Sequence, residues 1–396
     1  MRKHEDLKNM MIYAYQETAY YKKLFDEYGI IPSSIEKKDD LHTLPVLTAA
    51  GVQENEAILV AKDYQKFPKI NMIDIGRVIR NDGLLIKIYS CRNGTDAGIA
   101  SAWTRRNEYG ITKESKRCYF YGVNYAGNKL FTQVSSIISP DKSELSFRIS
   151  GLTEKKWLEV YDQILHFEPE WLILELDEAE VLTDLIEDKN LAIPKNLKLI
   201  ELHSTSQIVK ERLERVFNAQ VVPTLWTAEA GIVAYMCKYG NLHILEENAV
   251  VETVVDSHLV SASEGMLCLT TLQNYAMPLI RYDTGIKGAI GKTQCSCGHN
   301  SATFKIAPRQ ESNVFVLSNG EKITRRALNG IAEITNENMQ GCISQFLVQQ
   351  LGGDTFCANM TMKPKYHGWG NAVKDEFLKT ARDMEKLGIQ WRINIT

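Results

Sequence analysis

Two absences narrow the function of this sequence before any motif is considered: it has no long uncharged apolar run and almost no net charge. Without such a run, no segment is predicted to span a bilayer, and the charged start of the chain lacks the apolar core of a signal peptide. A formal net charge of −3 over 396 residues gives no electrostatic argument for nucleic acid or an anionic membrane. Eight cysteines in so long a chain do not indicate a secreted disulfide scaffold. We therefore expect a cytoplasmic protein with reduced thiols that binds neither nucleic acid nor membrane.

The apolar pattern predicts an α/β fold over most of the chain. Residues 3–28 have apolar side chains near helical spacing, and residues 84–89 form a strand candidate that leads into a polar, glycine-containing loop. Ser206 is a predicted N-cap, because its hydroxyl can accept from a free backbone N–H. The further predictions are helices at 157–167, 178–188 and 207–217, and strands at 171–176, 197–202 and 220–222. This alternation is typical of layered folds with parallel strands.

The character of the sequence changes after residue 309. Asn319-Gly320, between the apolar runs of residues 314–323, is a strong signal for a β-hairpin. A helix at 326–337, strands at 346–350 and 357–362, and a helix at 371–387 follow. The basic pairs Arg105-Arg106 and Arg325-Arg326 are predicted to lie on solvated faces. Residues 309–396 are therefore predicted to form a small α+β domain.

One segment carries the most specific signal. Residues 274–286 read NYAMPLIRYDTGI and resemble the signature of the phenylacetate–CoA ligase branch of the adenylate-forming superfamily, which includes capsule-ligase-like proteins. The stretches 20–22, 29–32 and 44–48, and the strand-like run 265–272 before the signature, are also similar to that family, so the resemblance covers nearly the whole chain.

The resemblance implies a fold and a chemistry. The fold is a large N-terminal domain of layered sheets and helices, expected at residues 1–308, and a small C-terminal lid, expected at 309–396 and ending before the family's terminal lysine element. Such enzymes activate a carboxylate with ATP and magnesium as an acyl-adenylate and then transfer the acyl group to a thiol or an amine. The implied partners are a small carboxylic acid or an activated acyl substrate, with CoA, an amine or a carrier protein as acceptor.

The resemblance also implies roles for single residues. The family's phosphate loop corresponds to residues 90–98, where Gly94 and Thr95 are retained. Glu229 corresponds to the magnesium-holding glutamate and, with Arg281, is the expected catalytic pair. Asp283 of the signature and Arg309 of the hinge are expected at the cofactor, although Arg281 and Asp283 could equally form a structural salt-bridged turn. These residues form the expected nucleotide site.

Several positions depart from the family pattern. Ile286 stands where the family has an aspartate for the ATP ribose, and an alkyl group accepts no hydrogen bond. Trp226 replaces a glycine beside the nucleotide, which indicates either core packing or a reshaped substrate pocket. Cys91 and Tyr121 are candidates for the same pocket, and the Cys91 thiol is a possible acyl acceptor. The alternative for residues 90–98 is an ordinary turn.

Cysteine and histidine spacing predicts a metal site independently of the signature. Cys237, His243, Cys295 and Cys297 make a three-thiolate, one-imidazole set that suits tetrahedral zinc, with His299 as a substitute ligand. Such a closed set would be structural. The alternative is two unrelated pairs of buried thiols.

Three functions therefore remain open. The first is a carboxylate-activating ligase of specialised metabolism. The second is an enzyme that acts on an already activated acyl substrate without ATP, and the third is a non-catalytic binding or partner protein.

Overall fold

The computed structural model describes residues 2–396 except 67–72, 122–134, 149–152, 256–257, 260–263, 292–294 and 308–313. The chain divides into two compact units, residues 1–108 with 224–308 and residues 109–223 with 309–396. The predicted boundary near residues 308–309 lies outside the described residues, and the predicted division into an N-terminal domain and a lid stays a prediction.

The first unit begins with helices packed on a hairpin. Leu7, Met10, Met11 and Ala14 recur at helical spacing and are buried. The predicted single helix is interrupted at Thr18, whose hydroxyl accepts from the Tyr21 N–H at 3.2 Å and starts a second helix. The elements are α1 (Arg2–Glu17), α2 (Ala19–Tyr28), α3 (Ala49–Glu54), α4 (Glu56–Leu59), α5 (Lys62–Lys66), β1 (Ile73–Ile79), β2 (Leu85–Cys91) and α6 (Arg92–Glu108).

The rest of the first unit is an antiparallel sheet. Strand β8 (Gln220–Thr227) passes from the second unit into the first, and the strands after it pair in the order β12-β11-β13-β14-β15-β10-β9-β8. Their bounds are β9 (Gly231–Met236), β10 (Leu242–Ile244), β11 (Ala249–Val255), β12 (His258–Leu259), β13 (Gly265–Thr271), β14 (Tyr282–Gly291) and β15 (Thr303–Ile306). The predicted signature leads into β14, and Leu47 pairs with Tyr282 as an isolated bridge. Two family-like stretches are thus neighbours in the fold.

The second unit contains the predicted parallel strands. The described residues of this unit before β8 form β3 (Arg117–Tyr121), β4 (Ser135–Ile138), β5 (Glu144–Arg148), α7 (Glu154–Phe167), β6 (Trp171–Glu175), α8 (Leu176–Lys189), β7 (Leu199–His203) and α9 (Gln207–Phe217). The pairs β3–β5, β3–β6, β6–β7 and β7–β8 are parallel, and β4–β5 is antiparallel. The predicted Ser206 cap is confirmed, since its Oγ accepts from the Val209 N–H at 3.4 Å.

Residues 314–396 complete the second unit with two small sheets and three helices. The predicted Asn319-Gly320 hairpin is confirmed between β16 (Val314–Val316) and β17 (Lys322–Thr324), with Gly320 at φ +85°. The other elements are α10 (Arg325–Asn338), β18 (Ile343–Gly352), β19 (Thr355–Met362), α11 (Gly370–Thr380), α12 (Arg382–Glu385) and β20 (Gln390–Ile395).

A cluster of charges joins α10 to the start of α8 within the second unit. Arg326 contacts Glu175, donates from Nη1 to Glu178 Oε1 at 2.5 Å, and its backbone N–H donates to Asp177 Oδ2 at 3.2 Å. The prediction that Arg326 lies on a solvated face is therefore wrong, because three carboxylates at the N-terminus of α8 surround it. The same prediction is wrong for Arg106, which is 3% exposed.

Among the described residues, no helix combines the length and apolar character needed to cross a membrane. All eight cysteines lie in the described part of the chain and are free thiols.

Candidate functional site

Glu229 lies in the tight turn between β8 and β9 of the first unit and is 8% exposed. The Thr227 hydroxyl accepts from the Ala230 N–H at 3.2 Å and hydrogen-bonds to the Glu229 carboxylate. The Tyr282 hydroxyl, at the start of β14, also hydrogen-bonds to this carboxylate. Arg80, at the end of β1, donates to the Tyr282 hydroxyl at 3.2 Å. We call Glu229, Thr227, Tyr282 and Arg80 the Glu229 network.

Burial and hydrogen bonding act in opposite directions on Glu229. Burial raises the pKa of this carboxyl, while hydrogen bonds from its own backbone N–H and from the Thr227 and Tyr282 hydroxyls, and the charge of Arg80, lower it. Burial also raises the pKa of Tyr282 well above its usual range. Tyr282 is therefore a neutral hydrogen-bond donor at every physiological pH, and Glu229 is the group of this network that can change charge.

Asp283 shapes the turn that follows Tyr282. Its Oδ1 accepts from the Gly285 N–H at 2.8 Å, and its backbone oxygen accepts from Arg80 Nη1 at 2.5 Å. Gly285 has φ +73°, a left-handed backbone angle that favours glycine. A Cβ there would lie 2.6 Å from Arg80 Nη2, so glycine also leaves space for the Arg80 guanidinium. The turn ends at Ile286, which packs at the margin of an apolar cluster. A cofactor role for Asp283 stays a prediction.

Arg281 lies in a buried ion pair. It is 1% exposed; its Nε donates to Glu252 Oε2 at 3.2 Å, and its Nη1 donates to the Leu44 carbonyl. Its backbone N–H donates to Thr270 Oγ1 at 3.0 Å. The carboxylate that pairs with Arg281 is thus Glu252 and not Asp283, as the salt-bridged turn would require, and the catalytic role of Arg281 stays a prediction.

The loop predicted at residues 90–98 is wrong as a secondary-structure assignment. Strand β2 ends at Cys91 and α6 starts at Arg92, so Gly94 and Thr95 lie in the first turn of a helix. A Cβ on Gly94 would lie 2.0 Å from the Gln273 carbonyl oxygen, and Thr95 Oγ1 donates to the Cys91 carbonyl at 3.3 Å. Gly94 therefore allows close packing against the residue before the signature.

The substrate-pocket candidates differ in exposure, and their shared pocket stays a prediction. Trp226 is 44% exposed, which contradicts the core-packing alternative, whereas Cys91 is buried at 3% exposure. The Tyr64 side chain hydrogen-bonds to Cys91, and Tyr13 and Tyr275 are close enough for Cys91 to influence their pKa values. The Tyr121 side chain and the whole of Arg309 lie outside the described residues.

The four predicted metal ligands do come together. Cys237, His243, Cys295 and Cys297, here called the Cys/His cluster, place one ligand atom each within 4.8 Å of all the others. The sulfurs of Cys237 and Cys295 are 3.6 Å apart, and Cys297 Sγ is 3.3 Å from His243 Nε2. Cys237 follows β9, His243 lies in β10, and the other two follow β14, so neighbouring strands of one sheet deliver all four.

Neighbouring groups orient the Cys/His cluster. His243 Nδ1 lies 3.2 Å from the Ser301 carbonyl, which leaves Nε2 facing the thiols, and Asn241 Nδ2 donates to Cys295 Sγ at 3.3 Å. His299 turns its Nε2 to Glu108 Oε1 at 2.8 Å, so the substitute ligand has another partner.

Ionisation within the cluster is coupled. The pKa of Cys295 is lowered to about 6 by the backbone N–H of Cys297 and by the Cys297 and His243 side chains, whereas burial raises the pKa of Cys297 to about 11. The negative charge of the first thiolate disfavours ionisation of the second thiol. A bound divalent cation would offset this repulsion.

Sequence reasoning missed Arg80 and the role of Tyr282. The run 73–79 is rich in β-branched residues and is followed by Asn81-Asp82-Gly83, which is a recognisable hairpin signal. That signal could have placed Arg80 at the end of a strand. Its contact with residues 282–283 joins positions about two hundred apart in sequence, and no local pattern indicates such a contact.

No protein-family model matches the chain. A phenylacetate–coenzyme A ligase from Thermus thermophilus is 21% identical over 314 residues, which are 74% of this chain and 66% of that relative, just under two thirds of its length.

Solved structures of 2-hydroxyisobutyryl-CoA ligase match over the whole chain. The structure in complex with 2-HIB-AMP in the postadenylation state has a TM-score of 0.62 and 15% identity and is covered to 85%. An open conformation in complex with 2-HIB-AMP and CoA also has a TM-score of 0.62 and 15% identity, with 87% covered. The resemblance to the adenylate-forming superfamily predicted from the sequence is thereby confirmed, and the chain has the α/β fold of its CoA ligases.

Proposed function

We propose that this chain is a carboxylate-activating enzyme of the acyl-CoA ligase type, which takes a small carboxylic acid and transfers its acyl group to CoA. The similarity to a phenylacetate–CoA ligase and the fold shared with an acyl-adenylate-binding CoA ligase support this proposal. An amine or a carrier-protein thiol is the alternative acceptor. The eight free thiols support a cytoplasmic setting, in which we place a biosynthetic role.

The observation that carries the proposal is the meeting of two separate motifs at Tyr282. The signature supplies Tyr282, and the turn after β8 supplies Glu229, fifty-three residues earlier in the sequence. Their hydrogen bond places a buried carboxylate beside the signature turn. A carboxylate held this way can bind a cation or orient a reacting group, and both tasks suit acyl activation.

ATP and magnesium fit the described residues only in part. Glu229 offers a carboxylate to a cation, but α6 replaces the expected phosphate loop, and Gly94 is pressed against the Gln273 carbonyl. Ile286 offers no acceptor to a ribose. We therefore assign no step to ATP from these residues.

This misfit favours a second candidate function, an acyltransferase that receives its acyl group already activated. Such an enzyme would use the same fold and the Glu229 network but would need no nucleotide. Incubation with acyl-CoA thioesters and amine or thiol acceptors, without ATP, tests it. Acyl transfer without ATP, together with no binding of Mg-ATP by calorimetry, would select this candidate over the first.

The ligase proposal predicts that Glu229→Gln strongly lowers activity. With a panel of aryl, alkyl and amino acids, Mg-ATP and CoA, we expect acyl-CoA formation by wild type and a loss of roughly 100-fold or more in kcat/KM in the variant, because a preorganised charge is removed. Mass spectrometry of acyl-CoA and a pyrophosphate assay measure it.

Glu36→Gln is the matched control, because Glu36 forms a half-exposed surface pair with Lys8 at 2.6 Å. It is expected to retain full activity. Equal rates in wild type and Glu229→Gln would contradict the role given to Glu229. The proposed function would be contradicted if wild type formed no acyl product, either from the acids with Mg-ATP or from acyl-CoA thioesters without it.

We further propose that the Cys/His cluster holds a structural zinc ion. A tetrahedral ion with Zn–S bonds of about 2.3 Å separates two sulfurs by about 3.8 Å, and the Cys237–Cys295 separation of 3.6 Å suits it. Three thiols and one imidazole fill all four positions, so the ion would tie the end of β14 to β9 and β10 without activating water.

Metal analysis should find about one zinc per chain in the purified protein. Cys297→Ser is expected to lower the zinc content several-fold and to lower the melting temperature, whereas His299→Gln is expected to leave both unchanged, since His299 faces Glu108. Cobalt substitution should give thiolate charge-transfer absorption that Cys297→Ser weakens. Zinc retained by Cys297→Ser but lost by His299→Gln would show that the ligand set is wrong.

A further inference from the structure

Asn248 is a buried polar residue in the turn between β10 and β11, outside both the signature and the Glu229 network. It is 1% exposed. Its Nδ2 donates to the Gly98 carbonyl at 3.1 Å and to the Ile232 carbonyl at 2.7 Å. Its Oδ1 lies 3.1 Å from the Ser101 hydroxyl, which is also 2.8 Å from the Gly98 carbonyl. One carboxamide therefore joins α6 to β9 within the first unit.

The surroundings fix the orientation of this carboxamide. The carbonyls of Gly98 and Ile232 only accept, so the NH2 group of Asn248 must face them, and both of its protons are used. The oxygen then faces the Ser101 hydroxyl, which is a donor. A carboxylate of the same size would instead place an oxygen against two carbonyl oxygens, so aspartate cannot replace the contacts of asparagine here.

The backbone of the same turn holds the approach to the signature. The Leu272 N–H donates to the Asn248 carbonyl at 3.0 Å, and Gln273 Nε2 donates to the Glu247 carbonyl at 2.9 Å. Leu272 and Gln273 directly precede Asn274, the first residue of the signature. The turn at Asn248 thus contacts three elements, which are α6, β9 and the segment that leads into the signature.

Two glycines let α6 lie close to these elements. Gly94 and Gly98 are one helical turn apart and so share a face of α6. A Cβ on Gly94 would lie 2.0 Å from the Gln273 carbonyl oxygen. A Cβ on Gly98 would lie 3.7 Å from Asn248 Nδ2 and 3.9 Å from the Ala230 carbonyl oxygen. This face of α6 therefore lies against both the approach to the signature and the turn between β8 and β9.

The bond to Ile232 acts directly beside Glu229. Ile232 follows Glu229 by three residues and pairs with Trp226 of β8, so the two strands that carry the Glu229 turn meet at this pair. We propose that Asn248 is a positioning residue, whose contacts with α6, β9 and the approach to the signature set the place of Glu229 relative to the signature. Its burial keeps it from contact with a substrate. This role rests on the proposed function, in which Glu229 and the signature act together.

The six tryptophans of the chain allow a test that does not depend on activity. Trp103 lies in α6 and Trp226 lies in β8 beside Ile232, whereas the other four lie in the second unit. In full-length protein labelled with 5-fluorotryptophan, the fluorine-19 signals of Trp103 and Trp226 are identified by their loss in Trp103→Phe and Trp226→Phe. In Asn248→Asp we expect both signals to shift or broaden, while the four signals of the second unit stay unchanged.

Kinetics with unlabelled protein separate positioning from a merely structural role. At a temperature where circular dichroism shows that Asn248→Asp is fully folded, its kcat is expected to fall about 10- to 100-fold, because a small displacement of the reacting groups is costly. KM should change by less than about twofold, since Asn248 binds no substrate. A merely structural residue would lower the melting temperature and leave kcat per folded molecule unchanged.

Asn107→Asp is the matched control, because it makes the same substitution at an exposed position of α6. It should leave all six fluorine signals, KM and kcat unchanged. Should Asn248→Asp fail to fold, Asn248→Ala gives the same decision, since it removes the side-chain hydrogen bonds without adding a charge.

The two measurements separate this role from the proposed function. Unchanged signals of Trp103 and Trp226, or changed signals with a wild-type kcat, would overturn the role of Asn248 and leave the proposed function intact. Changed signals, with wild type inactive toward every acid and every thioester, would overturn the proposed function and leave Asn248 as the residue that holds these elements in place.

Discussion

Replacing Arg281 with methionine is expected to destabilise the first unit by about 3–5 kcal/mol, because it leaves a buried carboxylate without its cation. Arg281 and Glu252 have side chains that are 2% and 0% exposed, and their closest contact is 3.2 Å. Within the described structure, Glu252 Oε1 and Arg281 Nη2 have no hydrogen-bond partner. Burial already raises the pKa of Glu252, and Arg281 is the main group that opposes this.

Native-state hydrogen exchange is the suitable measurement, since a chain of two units need not unfold in one step. β11 and β13 flank this ion pair. In Arg281→Met, the free energy of opening measured by exchange of their amides should fall by most of that amount. The double variant Arg281→Met with Glu252→Gln is the control, because replacing a whole buried pair is far less costly than removing one partner. It should recover a large part of the lost protection.

The same pair of variants decides between the two roles considered for Arg281. If Arg281 is structural, stability and activity should be lost together in the single variant and recovered together in the double variant. If Arg281 is catalytic, activity should stay low in the double variant even though protection of its amides from exchange returns. A loss of less than about 1 kcal/mol in Arg281→Met would contradict the buried-pair argument altogether.

Local signals in the sequence predicted much of the fold. The Ser206 cap, the Asn319-Gly320 hairpin and the alternating elements of residues 157–222 each depend on residues close in sequence, and the structure has them within a few residues of the predicted bounds. The Cys/His cluster was also predictable, because two short ligand spacings limit the possible partners.

The candidate site was less predictable because packing decides it. Residues 92–98 contain glycine, asparagine and aspartate and resemble a loop, yet they form the start of α6. Gly94 packs so closely on the Gln273 carbonyl that only glycine fits there, and no local pattern indicates that contact. Arg80, Tyr282 and Glu229 meet through contacts between distant parts of the sequence. Trp226, a large apolar residue after a strand, was expected to be buried or to fill a pocket, and it is 44% exposed.

Replacing Arg326 with methionine is expected to give a stability loss that grows with pH. Arg326 faces Glu175, Asp177 and Glu178 within the second unit. Burial raises the pKa of Glu178 from 4.5 to about 7, although the charge of Arg326 acts to lower it. Glu175 is more exposed and contacts Arg326, whose charge lowers its pKa. An acid with a raised pKa binds more protons in the folded state, so in wild type its contribution to stability falls as pH rises from 4.5 to about 7 and is constant above.

Without Arg326 the pKa of Glu178 rises further, and stability continues to fall above pH 7. Each pH unit then costs about 1.4 kcal/mol, so the difference from wild type should be modest at pH 6 and reach about 3 kcal/mol by pH 9. Hydrogen exchange of the α8 amides, corrected for intrinsic rates, measures it. Glu178→Gln in the Arg326→Met background removes the titrating group and should abolish the pH dependence. A stability loss that is equal at pH 6 and pH 9 would mean that Glu178 does not titrate there, and the cluster would then act only through packing.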